Sequence, residues 1–329
     1  MSSQDHSTLS SKPASAYLIL LLGVFAVSTA SIFIRFAQKE VPSLIIATYR
    51  MALAGLLLAP GALWRERTGF IKLTGATLKD ILIAGFFLAL HFASWIGSLE
   101  YTSVVNSVVL VTTTPLWVAL ASPLILKEPV SSNTFWGLGL ALIGGVVVGL
   151  SSTCSISLEG ITCAFGGAFF EGKAALGNFM ALSGAWFAAG YLIAGRRARR
   201  ELHLLAYTFR VYSIAGIILI ILTLVFAFTG MQNNGLRLIE LFADYPSNSF
   251  LWLVLLAIVP QIIGHTAFNW SLAYLPATFV SVALLGEPIG STLLAMVFLS
   301  EAPTALQLFG AVLILSGIVI SSRQNRIKK

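Results

Sequence analysis

The sequence predicts an all-α membrane protein with ten transmembrane helices, arranged as two inverted repeats of five helices each. The first observation is the composition: 57% of the 329 residues are hydrophobic and 10% are charged, whereas soluble domains carry about 25% charged residues. The second is an internal match, because residues 99–144 align without a gap on residues 272–317 after a shift of 173 positions. The third is the presence of five apolar runs in each half. An odd number makes the second half enter the membrane from the opposite side.

Each apolar run is close to the roughly 20 residues that a bilayer-spanning helix needs. The expected spans cover residues 16–37, 44–64, 80–99, 102–126, 134–150, 174–194, 205–228, 250–273, 277–299 and 305–321. The expected organisation is a disordered cytoplasmic tail over 1–15, a first repeat over 16–150, an extracytoplasmic loop over 151–173, a second repeat over 174–321 and a basic cytoplasmic tail over 322–329.

The net charge of +7 comes from short basic clusters between the apolar runs, so we expect a membrane protein and no nucleic-acid partner. With the N-terminus inside, 14 Lys and Arg residues fall on the inner side and 4 on the outer side. Both termini are therefore expected in the cytoplasm, with the chain in the inner membrane of a bacterial-type cell. Arg50 and Arg210 lie within spans. Each is either a structural residue that reaches the membrane interface or a clamp for a substrate carboxylate.

The residues that recur between the halves resemble a known family. Five positions of the first half, Tyr101, Pro115, Glu128, Gly137 and Gly144, recur as Tyr274, Pro288, Glu301, Gly310 and Gly317. Together with the Thr112–Pro115 run and the Lys127–Pro129 corner, they are similar to the EamA repeat of the drug/metabolite transporter superfamily. The resemblance implies two inverted five-helix repeats around a central cavity and export of amino acids, metabolites or toxic compounds. The long loop at 151–173 departs from the usual pattern.

Polar side chains at helical spacing indicate a solute pathway between the helices. Gln261, His265 and Asn269 are four residues apart and share one helix face, and His91 and Trp95 are spaced in the same way. The candidate substrate and ion pathway residues are Glu287, His265, Gln261, Asn269, His91, Trp95, Asn106, Thr114 and Ser291. The alternative is hydrogen bonding between helices, at about 0.6 kcal/mol per bond.

Pro115 and Pro288 are expected to kink their helices at matching depth, because proline removes a backbone hydrogen bond. The kinks serve either packing or gating. Glu287 precedes Pro288, and its counterpart in the first repeat is Thr114. Acidic residues inside a membrane usually face a cavity, pair with another group or carry protons. Glu287 is therefore either a proton carrier or a structural residue that bonds the opened backbone, His91 or His265.

Cys154 and Cys163 are the two cysteines of the chain, and both fall in the expected extracytoplasmic loop. Disulfides persist in oxidising compartments, and a loop of this length closes easily. We therefore expect a disulfide between them that acts as a local staple without a role in transport.

No catalytic motif and no Cys/His cluster with metal-ligand spacing occurs in the sequence. We therefore expect no enzyme activity, no cofactor and no metal. The predicted function is a secondary transporter that exports a small solute and is a candidate for proton coupling. An intramembrane enzyme acting on a lipid-linked substrate and a passive channel are the alternatives. The expected partners are membrane lipid and a small-molecule substrate, with a homodimer left open.

Overall fold

Long apolar segments can satisfy their backbone groups internally only as helices, and helices dominate the chain. The computed structural model describes residues 14–67, 73–102, 107, 110–150, 154–157, 160–163, 172–229, 245–299 and 304–323. In the first half these residues form α1 (Ala14–Ser28), α2 (Ala30–Ala37), α3 (Ser43–Arg67), α4 (Gly75–Ser98), α5 (Thr114–Ile125) and α6 (Ser132–Leu150). A β-hairpin follows, with antiparallel strands β1 (Cys154–Ser157) and β2 (Gly160–Cys163).

The second half repeats the pattern with two irregular turns inside its helices. Its elements are α7 (Gly172–Ala198), α8 (Leu204–Thr229), α9 (Ser247–Leu256), a π-helical segment (Ala257–His265), α10 (Thr266–Ser271), α11 (Ala277–Ala283), a 3₁₀ turn (Leu284–Gly286), α12 (Glu287–Leu299) and α13 (Ala305–Ser322).

The molecule exposes large apolar side chains and buries polar ones, as membrane proteins do. Leu124, Phe228 and Trp64 are 82%, 78% and 72% exposed, whereas Gln261 and Asn269 are fully buried. Among the described residues, six helical stretches are long and apolar enough to span a membrane, and four shorter apolar helices accompany them. These observations confirm a helical, multi-pass membrane protein. The count of ten spans remains a prediction.

The helices of the two halves interleave instead of forming two separate bundles. α6 packs along α13, and α3 packs along α8; each pair joins equivalent spans of the two repeats. α4 packs along α7, and α1 packs against the π-helical segment and α10 in the corresponding way. Each of these contacts made by a helix of one repeat is therefore matched by a contact of the equivalent helix in the other repeat. This is the arrangement expected for two copies of one fold related by a central axis.

Glycines bring the backbones of α6 and α13 into direct contact. A Cβ added to Gly137 would lie 2.5 Å from the carbonyl oxygen of Gly317, and one added to Gly144 would lie 2.7 Å from that of Gly310. Since only glycine leaves this space empty, the two helices can approach closely. These recurring glycines therefore serve helix packing.

Prolines accompany the irregular helical turns. α5 begins at Thr114, immediately after a turn, with Pro115 in its first turn. The 3₁₀ turn ends directly before Glu287 and Pro288. Pro260 lies inside the π-helical segment, where its missing N–H and bulky ring prevent a regular α-helical turn.

Two features add detail to the sequence-based expectations. The segment 151–173, expected as an extracytoplasmic loop, contains the β1–β2 hairpin, in which Cys154 lies directly opposite Cys163. The first expected span is found as one candidate span, Ser15–Ala37, with a one-residue turn at Thr29, whose hydroxyl donates to the carbonyl oxygen of Ala26 at 2.7 Å. No proline or glycine marks that turn in the sequence.

Candidate functional site

A cavity lies between helices of both repeats. Its volume is about 70 Å³, enough for a few water molecules. The polar and charged residues on its wall are Arg50, His91, Trp95, Thr112, Thr114, Tyr191, His265 and Glu287. Residues from both repeats therefore form the cavity wall.

Arg50 is a charged residue of α3 that extends into the interior. Its exposed fraction is 0%, and its Nε donates to Oε1 of Gln261 at 2.9 Å. Its guanidinium carbon lies 4.1 Å from the ring centre of Phe92, a cation–π contact. Within the part of the chain that the structure describes, Nη1 and Nη2 have no hydrogen-bond partner. Of the two interpretations of Arg50, a side chain that reaches the membrane interface does not fit these contacts, because Gln261 and Phe92 hold the guanidinium inward.

Two histidines contact the ring of Phe92, on which Arg50 packs. The His265 ring meets the Phe92 ring edge-on with centroids 5.4 Å apart, and its Nδ1 has no hydrogen-bond partner among the described residues. His91 stacks on Trp95 at 5.8 Å. Its Nδ1 lies 2.9 Å from the carbonyl oxygen of Gly184; because a carbonyl can only accept, this nitrogen carries the proton.

Glu287 and Thr114 occupy equivalent positions at the starts of α12 and α5, and both line the cavity. The Thr114 hydroxyl is bonded to the carbonyl oxygen of Val111 at 2.8 Å. Within the described residues, no ion pair joins Glu287 to Arg50, and no hydrogen bond joins its carboxylate to either histidine. The wall therefore carries a cation and a carboxyl group that are not directly paired.

Behind the cavity wall, a buried hydrogen-bond network links three helices. The Tyr191 hydroxyl donates to Oδ1 of Asn269 at 2.7 Å, and Nδ2 of Asn269 donates to the Tyr212 hydroxyl at 3.3 Å. The Tyr212 hydroxyl is also 3.1 Å from that of Thr266. Gln261 and Asn269 do not line the cavity. They hold Arg50 and Tyr191, which do.

Ser291 lies outside the cavity wall and connects α12 to α1. Its hydroxyl donates to the carbonyl oxygen of Ser28 at 3.0 Å and accepts from Ser31 at 3.3 Å. Ser28 in turn donates to the carbonyl oxygen of Glu287 at 3.1 Å. Asn106, the remaining pathway candidate, lies outside the described residues.

Ion pairs connect α7 to its neighbours on the side that the basic clusters assign to the cytoplasm. Arg196 and Arg200 lie 2.9 Å and 2.7 Å from Oε1 of Glu128, and Arg197 lies 3.1 Å from Asp80. Arg196 also donates to the carbonyl oxygen of Leu272. The end of α7 is thus joined to the corner after α5, to α4 and to the turn after α10.

Sequence reasoning did not identify Tyr191, Tyr212 or Phe92 as site residues. Tyr191 lies seven residues before the end of α7 at Ala198, and tyrosine is typical of the ends of membrane helices, at the interface, so its type and position did not distinguish it. Phe92 follows His91 within an apolar run. Nothing in the sequence distinguishes it from a residue that faces lipid.

Comparisons with known proteins agree along the length of the chain. The model of the EamA-like transporter family matches residues 14–150 and 175–323. An uncharacterized transporter of Archaeoglobus fulgidus is 22% identical over 309 residues, covering 93% of this chain and 96% of its own length. The pseudopaline exporter CntI of Pseudomonas aeruginosa is 23% identical over 314 residues, covering 95% and 97%.

The fold also matches a solved crystal structure. That structure superposes with a TM-score of 0.69 at 18% sequence identity, covering 94% of this chain and 96% of the other. At this level of identity the likeness concerns the fold alone.

Proposed function

Because the chain belongs to the EamA-like transporter family, we propose that it is a secondary transporter that exports a small solute across the inner membrane. Membership makes it a multi-pass membrane transport protein; the solute class, the direction and the driving force are the proposed part. The solute is a metabolite, an amino acid or a drug-like compound. We further propose that the chain has ten spans and that both termini lie in the cytoplasm.

The cavity shared by the two repeats is the observation that carries this function. Arg50 and His91 come from the first repeat, and His265 and Glu287 come from the second. Inverted-repeat transporters bind solute between their repeats and expose it to either face by moving one repeat against the other. The helix interruptions before Pro115 and Pro288 lie on the cavity wall, where a change of backbone angle would alter access most directly.

The proposed export and the proposed proton coupling are supported by different observations. The Pseudomonas relative is named an exporter, and that direction is carried over to this chain as part of the proposal. Coupling rests on Glu287, whose carboxyl group opens on the cavity without a direct cationic partner. A carboxyl group so placed can exchange a proton with whichever side the cavity faces. The Glu128 and Asp80 ion pairs would have to separate when the cytoplasmic side opens.

Reconstitution in liposomes tests the proposal. Purified protein is inserted into vesicles loaded with a mixture of radiolabelled amino acids, organic acids and nucleosides, and a pH gradient is then imposed. We expect one class of solute to move against its concentration gradient and to be recovered unchanged. Recovery of a modified compound would favour the intramembrane enzyme. Movement that stops at equal concentrations would favour the passive channel.

A further inference from the structure

We propose that Arg50 is the anchor for a carboxylate group on the transported solute. The site deepens the function proposed above and rests on it, because it lies in the same cavity. Arg50 stands on α3 and reaches the cavity wall with its exposed fraction at 0%. A buried guanidinium ordinarily has its donors bonded, since leaving them unsatisfied costs free energy.

The two terminal nitrogens of Arg50 are the unsatisfied ones. Nε is bonded to Gln261, and one face of the guanidinium plane is covered by Phe92. Nη1 and Nη2 are buried and have no hydrogen-bond partner among the residues that the structure describes. These contacts fix the plane of the group and leave a pair of donors available. A guanidinium donor pair matches the two oxygens of a carboxylate in a bidentate arrangement.

The surrounding wall supplies further polar atoms without partners. Nε1 of Trp95 and Nδ1 of His265 are buried and have no hydrogen-bond partner in the described ranges, and both residues line the cavity. The indole nitrogen is a donor only, and a protonated imidazole nitrogen donates as well. A ligand with acceptor oxygens would satisfy these atoms together with Arg50.

Glu287 does not already fill this role. It is the carboxyl group on the same wall, yet it forms no ion pair with Arg50 among the described residues. Its attraction offsets part of the cost of burying Arg50 without occupying the terminal nitrogens. Glu287 therefore leaves the guanidinium available for an incoming carboxylate.

Thermal unfolding of the purified full-length protein tests the site with acetate as the probe. Acetate replaces chloride at constant ionic strength, and acetamide serves as its neutral analogue. Because a ligand that binds only the folded state raises its stability with concentration, we expect acetate to raise the Tm and acetamide to leave it unchanged. Equal shifts with both probes, or no shift when acetate replaces chloride, would overturn the proposal.

Variants assign the effect to Arg50. In Arg50→Gln we expect the apparent acetate Kd to rise by at least about tenfold, since hydrogen bonds to a charged group are lost. Arg210→Gln is the matched control: Arg210 is the repeat equivalent and donates to the carbonyl oxygen of Ala206 in its own helix. This variant should keep the wild-type acetate response. An unchanged acetate Kd in Arg50→Gln would exclude the site.

A second substitution covers the case in which Arg50→Gln does not fold. Arg50→Lys keeps the buried charge but loses the planar donor pair, so we expect an acetate Kd several-fold weaker than wild type. Wild-type affinity in Arg50→Lys would overturn the bidentate arrangement. Solute flux in liposomes tests the proposed transport function independently of acetate binding. A protein that moves solute without binding acetate would refute the anion site and leave the transporter standing. A protein that binds acetate at Arg50 without moving solute would refute the transporter and leave an anion site that serves no transport.

Discussion

At the scale of single residues, Glu287 and Thr114 show how two equivalent positions acquire different roles. Both begin a helix before a proline, and both line the cavity. The Thr114 hydroxyl is directed at the backbone carbonyls of Val111 and Ala185. Among the described residues, no hydrogen bond to the Glu287 carboxyl group is found, and the proposed proton exchange rests on this difference from Thr114.

Glu287→Gln tests this role by removing the charge while keeping the shape. We expect the variant to fold with wild-type thermal stability and to bind solute, but to lose transport driven by a pH gradient, because an amide does not ionise in this range. Solute accumulation in proteoliposomes measures the change. Glu40→Gln, at an exposed position, should accumulate solute as the wild type does. Accumulation by Glu287→Gln at the wild-type level would leave the glutamate a structural role.

The sequence indicates which polar residues are candidates for the cavity wall, but it does not indicate which side chains they contact. The positions of His91, His265 and Glu287 follow from helical spacing and from the rarity of such groups in apolar segments. Neither helical spacing nor residue type predicted that the Arg50 side chain turns inward. It depends on Gln261 and Phe92, which reach it from other helices, and hydropathy carries no information on which side chains meet. Arg210 has the same sequence context, yet it bonds its own helix.

At the scale of helices, the contact between α6 and α13 depends on glycines at specific turns. Gly144→Ala would place a methyl group 2.7 Å from the carbonyl oxygen of Gly310, a backbone atom that cannot move aside cheaply. We expect a loss of about 1–3 kcal/mol in the free energy of unfolding from this overpacking. Denaturation in mild detergent measures it.

The same helix supplies the control for that measurement. Gly139 and Gly145 have no neighbouring atom within reach of an added Cβ, so Gly139→Ala and Gly145→Ala should keep or slightly raise stability, because alanine favours the helix. If all three substitutions lowered stability equally, general helix perturbation would explain the loss and the close contact would not.

The β1–β2 hairpin bears on the cysteine prediction. Its register places Cys154 opposite Cys163, and directly opposed residues of antiparallel strands have Cβ atoms about 4.5–5.5 Å apart. This is slightly wider than a disulfide requires, so a small local adjustment suffices. Thiol titration of the denatured, unreduced protein should detect essentially no free thiol. Two free thiols per chain would exclude the bridge.

At the scale of the whole molecule, the basic clusters set the predicted orientation. In a background with Cys154 and Cys163 replaced by serine, single cysteines at Ala76 and His203 should react with an impermeant thiol reagent only after cells are opened. A cysteine at Lys39 should react in intact cells. All three positions are exposed. Reaction at Ala76 or His203 in intact cells would reverse the assigned topology.

The interleaving of the two halves has a consequence for how the protein is made. Arg50 and His91 are synthesised with the first half, but Gln261, which holds Arg50, and Gly184, which holds His91, belong to the second. At ribosomal speeds the first half must remain in the membrane for on the order of ten seconds before these partners emerge. During that interval Arg50, His91 and the glycines of α6 lack the second-half neighbours that they contact in the finished protein. Slower elongation would extend that exposure and reduce yield without altering any contact in the finished molecule.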